Sequence, residues 1–322
     1  TSKNQSSAEK NANSNSKQQV PIVEYGRGKR TIKRNDWYTT DYDGNKFKVS
    51  MKSNKEQAPK ENDHQYAKLD WSFMNANKAI KIHGDLAREA IKSELEQMLK
   101  QDVFYPIEKH QIGKAIVIPS HMLVTPKGDG LKGRFVAGGN LQPREEYSFA
   151  ETSASTVRAQ SILILVAIAA AKGLRISTAD VKGAYLNANL PRKRNIVLKL
   201  TKETASELTK IDPSYQIKLQ PDNTMYVRLK KALYGLLESA VLWNAHITEV
   251  LEQIGFIRSK YDPCIFINKQ NNLYIALYVD DLLIVGGDQD SRNNLIFSLE
   301  KTYGTLKKSE SNELMYRGLE IK

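Results

Sequence analysis

Cysteine is almost absent: among 322 residues there is only Cys264, in "YDPCIF". That excludes an internal disulfide and any cysteine-based zinc site, and it suits a reducing compartment. Long apolar runs are missing too. The longest, Ile162–Ala171, is too short to cross a bilayer, so no membrane partner is expected. It reads instead as part of a buried helix over 157–171, entered after "ETSAST" and stopped at Gly173. The N-terminus is polar and lacks the apolar core of a secretion signal, so export is not expected. The five histidines are scattered without metal-ligand spacing and read as surface or packing residues.

What remains is the composition of a soluble globular chain, 40% hydrophobic and 26% charged, long enough for one large domain or two ordinary ones. A net charge of +12 points to a polyanionic partner, nucleic acid being the usual one, with a solvated basic surface as the plainer alternative. The excess is uneven. Residues 1–60 hold 13 Lys and Arg against 6 Asp and Glu, so +7 of the +12 lies there. "TSKNQSSAEKNANSNSKQQV" has almost no apolar side chains and cannot offset its ordering entropy. "GRGKRTIKR" reads first as a flexible basic linker, with nucleic-acid contact or nuclear import as alternatives. Residues 1–66 are therefore expected to be a disordered basic polar linker, and 67–322 the folded part.

In the folded part, "DLAREAIKSELEQMLKQDVF" sets Ala87, Ile91, Leu95 and Met98 at helical spacing, with Asp85 as N-cap. "AIVIPSHMLVTPKGDGLKGRFVAGG" reads as two strands joined by "KGDG". "LRISTADVKGAYL" ends a strand near Asp180 and turns into a short helical segment. "TKETASELTKID" is a short surface helix, "TMYVRLKKALYGL" a strand and turn, and "SAVLWNAHITEVLEQIGF" an amphipathic helix closed by Gly255. A helix near 291–303 and one last strand in "LMYRGLEIK" complete a pattern without repeats that indicates an α+β fold.

"LYIALYVDDLLIVGG", residues 273–287, places Asp280 and Asp281 between two apolar strands. Aspartate is common in turns, but two-residue hairpin turns favour Asn-Gly or Asp-Gly because they need positive φ. Adjacent carboxylates also repel, the more so beside an apolar sheet. No Lys or Arg lies within the hairpin, so a metal ion could supply the positive charge. By itself the stretch supports turn and metal site equally. Asp180 stands at a second strand end, where alone it would be a helix N-cap. Three acids on strand ends suit Mg²⁺, a hard cation that binds carboxylates together with substrate phosphates and can work in pairs for phosphoryl transfer.

"YVDD" between apolar strands resembles the catalytic motif of reverse transcriptases, and "DVKGAYLNANL" resembles their first acidic motif. "KGDGLKGRFVAGGNLQ", "KKALYGLLESAVLWN", "YDPCIF" and "YRGLEI" resemble, in order, blocks of the copia-type LTR retrotransposons, the pseudovirus group. The likeness covers roughly residues 80–322. It implies a reverse-transcriptase fingers and palm, with an antiparallel palm sheet backed by helices, and neither thumb nor RNase H within the chain. The implied activity is an RNA-directed DNA polymerase that extends a primer 3′-OH with dNTPs on an RNA template. Two Mg²⁺ ions, with Mn²⁺ as a substitute, would be held by Asp180, Asp280, Asp281 and the Val181 carbonyl. Tyr185 would be the aromatic gate against a ribose 2′-OH, with Ala184 beside it in the same motif. Lys127 and Arg134 would grip the triphosphate, and Tyr234 and Gly235 would pack against nucleotide and template. Tyr278 and Val279 would lie near the primer end, and Tyr316 and Gly318 at the start of the primer grip.

Other segments of the Pol polyprotein, integrase and RNase H, are the implied protein partners. The implied location is a cytoplasmic virus-like particle, with the nucleus second. Three departures stand out: Ala137-Gly138-Gly139 where the family block often has Ala-Arg-Gly, Leu237-Glu238 where it has Lys-Gln, and Arg317 where an aliphatic residue is usual. The competing reading is an inactive relic that serves as a nucleic-acid-binding or structural module.

Overall fold

The computed structural model describes residues 38–40, 46–48 and 74–322 apart from 312. Tyr38–Thr40 (β1) and Lys46–Lys48 (β2) pair antiparallel within a first unit, Thr1–Tyr66. The expected disorder of 1–66 otherwise falls outside the described residues. A second unit, Ala67–Lys322, holds everything below.

Met74–Asn75 (β3) leads into Ala76–His83 (α1), whose first turn is capped by the Asn75 side chain accepting from the Lys78 N–H at 2.9 Å. Gly84, at φ 54°, separates α1 from Asp85–Lys100 (α2). Asp85 is thus the first residue of α2 and not its N-cap, and α1 is a helix the sequence pattern did not reveal. The four residues of α2 expected to face inward, Ala87, Ile91, Leu95 and Met98, are its four buried ones.

Phe104–Ile107 (β4) is followed by the long hairpin of Ile116–Lys127 (β5) and Gly130–Ala137 (β6). After Phe149–Thr152 (α3) and Ala159–Lys172 (α4) come Ile176–Asp180 (β7), Ile196–Leu200 (β8), Lys202–Ile211 (α5) and Met225–Leu229 (β9). One sheet has the order β3-β5-β8-β9-β4, with β6 paired to β5. Its core joins Ile91, Leu95 and Met98 of α2 to Ile118, Phe135, Leu198 and Val227 of the strands.

Ser239–Gln253 (α6) precedes Ile257–Arg258 (β10), Ile265–Asn268 (β11), Leu273–Tyr278 (β12) and Asp281–Gly286 (β13). Gln289–Tyr303 (α7), Lys307–Ser309 (β14), Leu314–Tyr316 (β15) and Leu319–Ile321 (β16) complete the chain. The second sheet runs β10-β11-β12-β13-β7-β14, antiparallel throughout. Leu165 of α4, Trp243 and Ile247 of α6 and Leu299 of α7 share a core with Ile275, Leu277 and Leu283 of this sheet. The α+β expectation holds, with an antiparallel sheet backed by helices.

Two expectations need correction. The apolar run of α4 is only half covered: Ile162, Leu165 and Ala169 are buried, while Leu163 and Ile164 are 57% and 59% exposed. A continuous apolar run wraps around a helix of 3.6 residues per turn, and a sheet can cover only one side of it. The single last strand is a hairpin, β15–β16, turned by Arg317 at φ 51° and Gly318 at φ 77°. Two successive positive φ values are the requirement of the tightest hairpin turn, and an arginine in the first position conceals it. No helix among the described residues is long and apolar enough to cross a membrane.

Candidate active site

β12 and β13 place Tyr278 opposite Asp281, which leaves Val279 and Asp280 as the two turn residues. The positive φ such a turn needs falls on Val279, at 55°, and on neither aspartate. A β-branched residue is strained there. Two buried donors hold the turn. The Trp243 indole N–H donates to the Val279 carbonyl at 2.6 Å, and the Val181 N–H donates to the Asp280 carbonyl at 3.0 Å. Across the sheet, Asp281 is the register partner of Asp180. On the far side of β7, Lys307 of β14 is Asp180's other partner. The fold therefore gathers Asp180, Asp280 and Asp281 at one end of adjacent strands, with Val181 beside them.

Burial pushes the Asp280 and Asp281 carboxyls above the usual carboxylate range. Repulsion from Asp180, and for Asp281 also from Asp280, adds to the rise. Arg134 and Lys132 oppose it at Asp280, and Lys307 at Asp281. No three metal-binding side chains among the described residues enclose an ion by themselves. Mg²⁺ characteristically takes only one or two carboxylates and fills its shell with water and substrate phosphates.

The β5–β6 hairpin supplies positive charge. Lys132 and Arg134, two residues apart on β6, share its exposed face, and Lys127 ends β5. Burial lowers the Lys132 pKa and repulsion from Arg134 and Lys127 lowers it further, while Glu94 and Asp180 pull the other way. Glu94 of α2 accepts the Phe135 N–H at 3.0 Å. Burial raises its carboxyl against the fields of Lys132, Arg134 and Lys182. Sequence reasoning missed Lys132, Glu94, Lys307 and Trp243. Only Lys132 carried a local signal, its two-residue spacing from Arg134.

Gly183, at φ 66°, opens a short 3₁₀ turn that buries Ala184 and leaves Tyr185 half-buried. The Tyr185 and Tyr234 rings meet at 4.7 Å between centroids, tilted by 53°. Burial raises both phenol pKa values, and the Asp280 charge adds to this, so both hydroxyls lie within the field of that carboxylate. Beyond Tyr234, the chain must pass close to β6. The Ala137 N–H donates to the Tyr234 carbonyl at 2.8 Å, and a Cβ on Gly235 would collide with the Ala137 carbonyl.

The departures from the family pattern acquire physical reasons. A Cβ on Gly138 would stand 2.9 Å from Pro119 Cγ, so the place is crowded for the usual arginine. Glu238 is 4% exposed, accepting from Gln142 Nε2 at 2.9 Å and from the Tyr147 hydroxyl at 3.2 Å, which is a packing role away from solvent. Arg317 stacks on Tyr278. Tyr316 is buried and its hydroxyl donates to the Ala276 carbonyl at 2.8 Å, tying β15 to β12, while Gly318 stays in the turn.

The profile of the reverse transcriptase (RNA-dependent DNA polymerase) family matches residues 100–321. Over 246 residues, 73% of this chain, the sequence is 31% identical to the truncated transposon Ty1-A Gag-Pol polyprotein of Saccharomyces cerevisiae, covering 19% of that protein. Identity and coverage of this chain are the same for the transposon Ty1-LR2 Gag-Pol polyprotein of that yeast, of which 13% is covered. The chain thus spans less than a fifth of the length of these relatives. A solved foamy viral protease-reverse transcriptase in complex with double-stranded DNA aligns with 72% of this chain and 33% of its own, at a TM-score of 0.40 and 15% identity. The chain belongs to the reverse transcriptase (RNA-dependent DNA polymerase) family, as a domain of the copia type found in retrotransposon Gag-Pol polyproteins.

Proposed function

We propose that this domain is an RNA-directed DNA polymerase that transfers a nucleotide from a dNTP to a primer 3′-OH, directed by an RNA template. The observation that carries the reading is the register of β7 and β13, which sets Asp180 opposite Asp281 with Asp280 in the adjoining turn. The donor set suits a hard divalent cation: three carboxylates, two of them raised by burial and mutual repulsion, have negative charge in need of a counterion. Asp180, Asp280, Asp281 and the Val181 carbonyl would hold two Mg²⁺ ions, or Mn²⁺ in their place. Bound there, the ions would activate the attacking hydroxyl and stabilise the leaving oxygen.

The remaining residues act on substrate. Lys127 and Arg134, with Lys132 between them on the hairpin, bind the triphosphate with fixed charge. Tyr185 lies under the sugar and, backed by Tyr234, rejects a 2′-OH by contact. Gly235 keeps the backbone low enough for a base pair to approach. Tyr278 and Val279 meet the primer end, and the β15–β16 turn, with Tyr316 before it and Gly318 in it, supports that end. Integrase and RNase H segments of a Pol polyprotein are the proposed neighbours, and a cytoplasmic particle the proposed setting, with the nucleus second.

Primer extension on an RNA template with Mg²⁺ tests the reading. Asp280→Asn and Asp180→Asn should each abolish nucleotide addition while primer–template binding stays within about twofold, since the phosphate contacts that dominate affinity lie elsewhere. Extension at the parental rate by either variant would overturn the assignment.

A further inference from the structure

Asp280 can serve its role only if its carboxylate points toward Asp180, and its direction is set by the two peptide planes that flank its Cα. Both planes are tied to buried donors from outside the hairpin. The carbonyl before Asp280 belongs to Val279 and accepts the Trp243 indole N–H at 2.6 Å. The carbonyl of Asp280 itself accepts the Val181 N–H at 3.0 Å. The first tie bears the greater load, because Val279 sits at φ 55°, a conformation that β-branched residues resist. Released, the 279–280 peptide would be free to rotate about the strained Val279 and carry Asp280 with it.

Trp243 is built to resist that rotation. It is 1% exposed on α6. Its ring meets Tyr303 of α7 nearly edge-on at 5.4 Å and lies 6.1 Å from His246, so two helices fix the indole before it reaches the turn. We propose that Trp243 is a positioning residue for Asp280: its indole N–H holds the strained Val279 carbonyl and so aims the neighbouring carboxylate at Asp180. The catalytic consequence rests on the polymerase reading above. The hydrogen bond does not.

The test uses Trp243→Phe, which keeps a ring in the aromatic cluster and removes the donor along with part of the indole's volume. On the polymerase reading, kcat for single-nucleotide addition should fall at least about tenfold, because small misplacements at a reacting centre are costly in rate. KM for dNTP and the Kd for primer–template should stay within about twofold, and the half-saturating Mg²⁺ concentration should rise. Adding Val279→Gly should restore part of the lost kcat, since glycine adopts positive φ without strain and needs no clamp. A loss due to folding alone would not be rescued by a glycine in the turn. An unchanged kcat overturns the inference, and so does a loss matched by a fall in folded fraction that Val279→Gly fails to rescue.

A second measurement needs no catalysis. In ¹⁵N-tryptophan-labelled parent protein, the Trp243 indole N–H should exchange slowly with solvent, and its resonance should move on titration with Mg²⁺. An indole N–H that exchanges freely overturns the inference even if the enzyme is active. A parent that binds primer–template without extending it would remove the polymerase reading, while exchange would still decide the hydrogen bond.

Discussion

The Arg317 guanidinium lies 3.6 Å from the centre of the Tyr278 ring and also donates to the Val157 carbonyl at 3.3 Å. A turn residue of the last hairpin thus rests on the strand residue opposite Asp281. Cation–π contacts at partly exposed sites contribute about 0.5–1 kcal/mol. Arg317→Ala should therefore weaken primer–template binding about two- to fivefold, with little change in nucleotide addition at saturating primer–template. Fluorescence anisotropy across a primer–template titration reads the first, and single-turnover extension the second. Parental affinity in the variant would mean that the stacking serves the fold alone.

Tyr185→Ala should admit ribonucleotides far more readily, raising the ratio of rNTP to dNTP incorporation by at least about tenfold. Tyr185→Phe keeps the ring against Tyr234 and should preserve the parental ratio. Competition assays with paired nucleotides decide it, and an unaltered ratio in the alanine variant would return Tyr185 to a packing role.

Asp262 caps α4 from a distant part of the chain, accepting from the Arg158 N–H at 3.0 Å and the Ser161 hydroxyl at 2.6 Å, and it also accepts the Cys264 N–H at 2.9 Å. Burial works to raise its pKa, but these hydrogen bonds outweigh it and hold the carboxyl below the usual range. A depressed carboxyl contributes stability that is present above its unfolded pKa of about 3.9 and is lost as pH falls through the lower folded value. Protection of α4 amides should therefore decline only below about pH 4. Asp262→Ala should cost on the order of 3 kcal/mol at neutral pH. Hydrogen exchange by mass spectrometry locates the effect, and a loss spread evenly over the domain would contradict a local cap.

Deleting residues 1–66 removes +5 of the net +12, carried on a segment without a regular aromatic–basic pattern for stacking bases. Nucleic-acid affinity should fall at low salt, and the slope of log affinity against log salt should flatten by about 0.7 to 0.9 for each phosphate that the segment would have neutralised. The rate of addition at saturating primer–template should hardly change. Equal slopes with and without the segment would show that it does not touch nucleic acid.

The sequence made some of this legible for identifiable reasons. Ala87, Ile91, Leu95 and Met98 were readable because helical periodicity is a local signal, and they are the buried face of α2. Asp180 and the Asp280–Asp281 pair were readable as strand ends. What places them together, the pairing of β7 with β13, is long-range and leaves no mark in the local sequence. Asp85 was misplaced because Gly84 separates two helices whose patterns run into each other. Hydrophobicity foretold α4 but not its exposed side, since composition does not say how many faces a neighbour covers. Trp243 had no signal at all: its indole matters through a carbonyl presented by a different hairpin.

The place of β7 between β13 and the edge strand β14 bears on how the molecule comes into being. Its two neighbours, β13 and β14, are both made long after it, the second only at Lys307–Ser309. During synthesis the strand bearing Asp180 has no partner on either edge until the far end of the domain leaves the ribosome. Pairings of such separation carry a large loop-closure entropy and form slowly. The acid cluster is therefore among the last features to be assembled, and a nascent chain halted before β14 carries Asp180 on an open sheet edge.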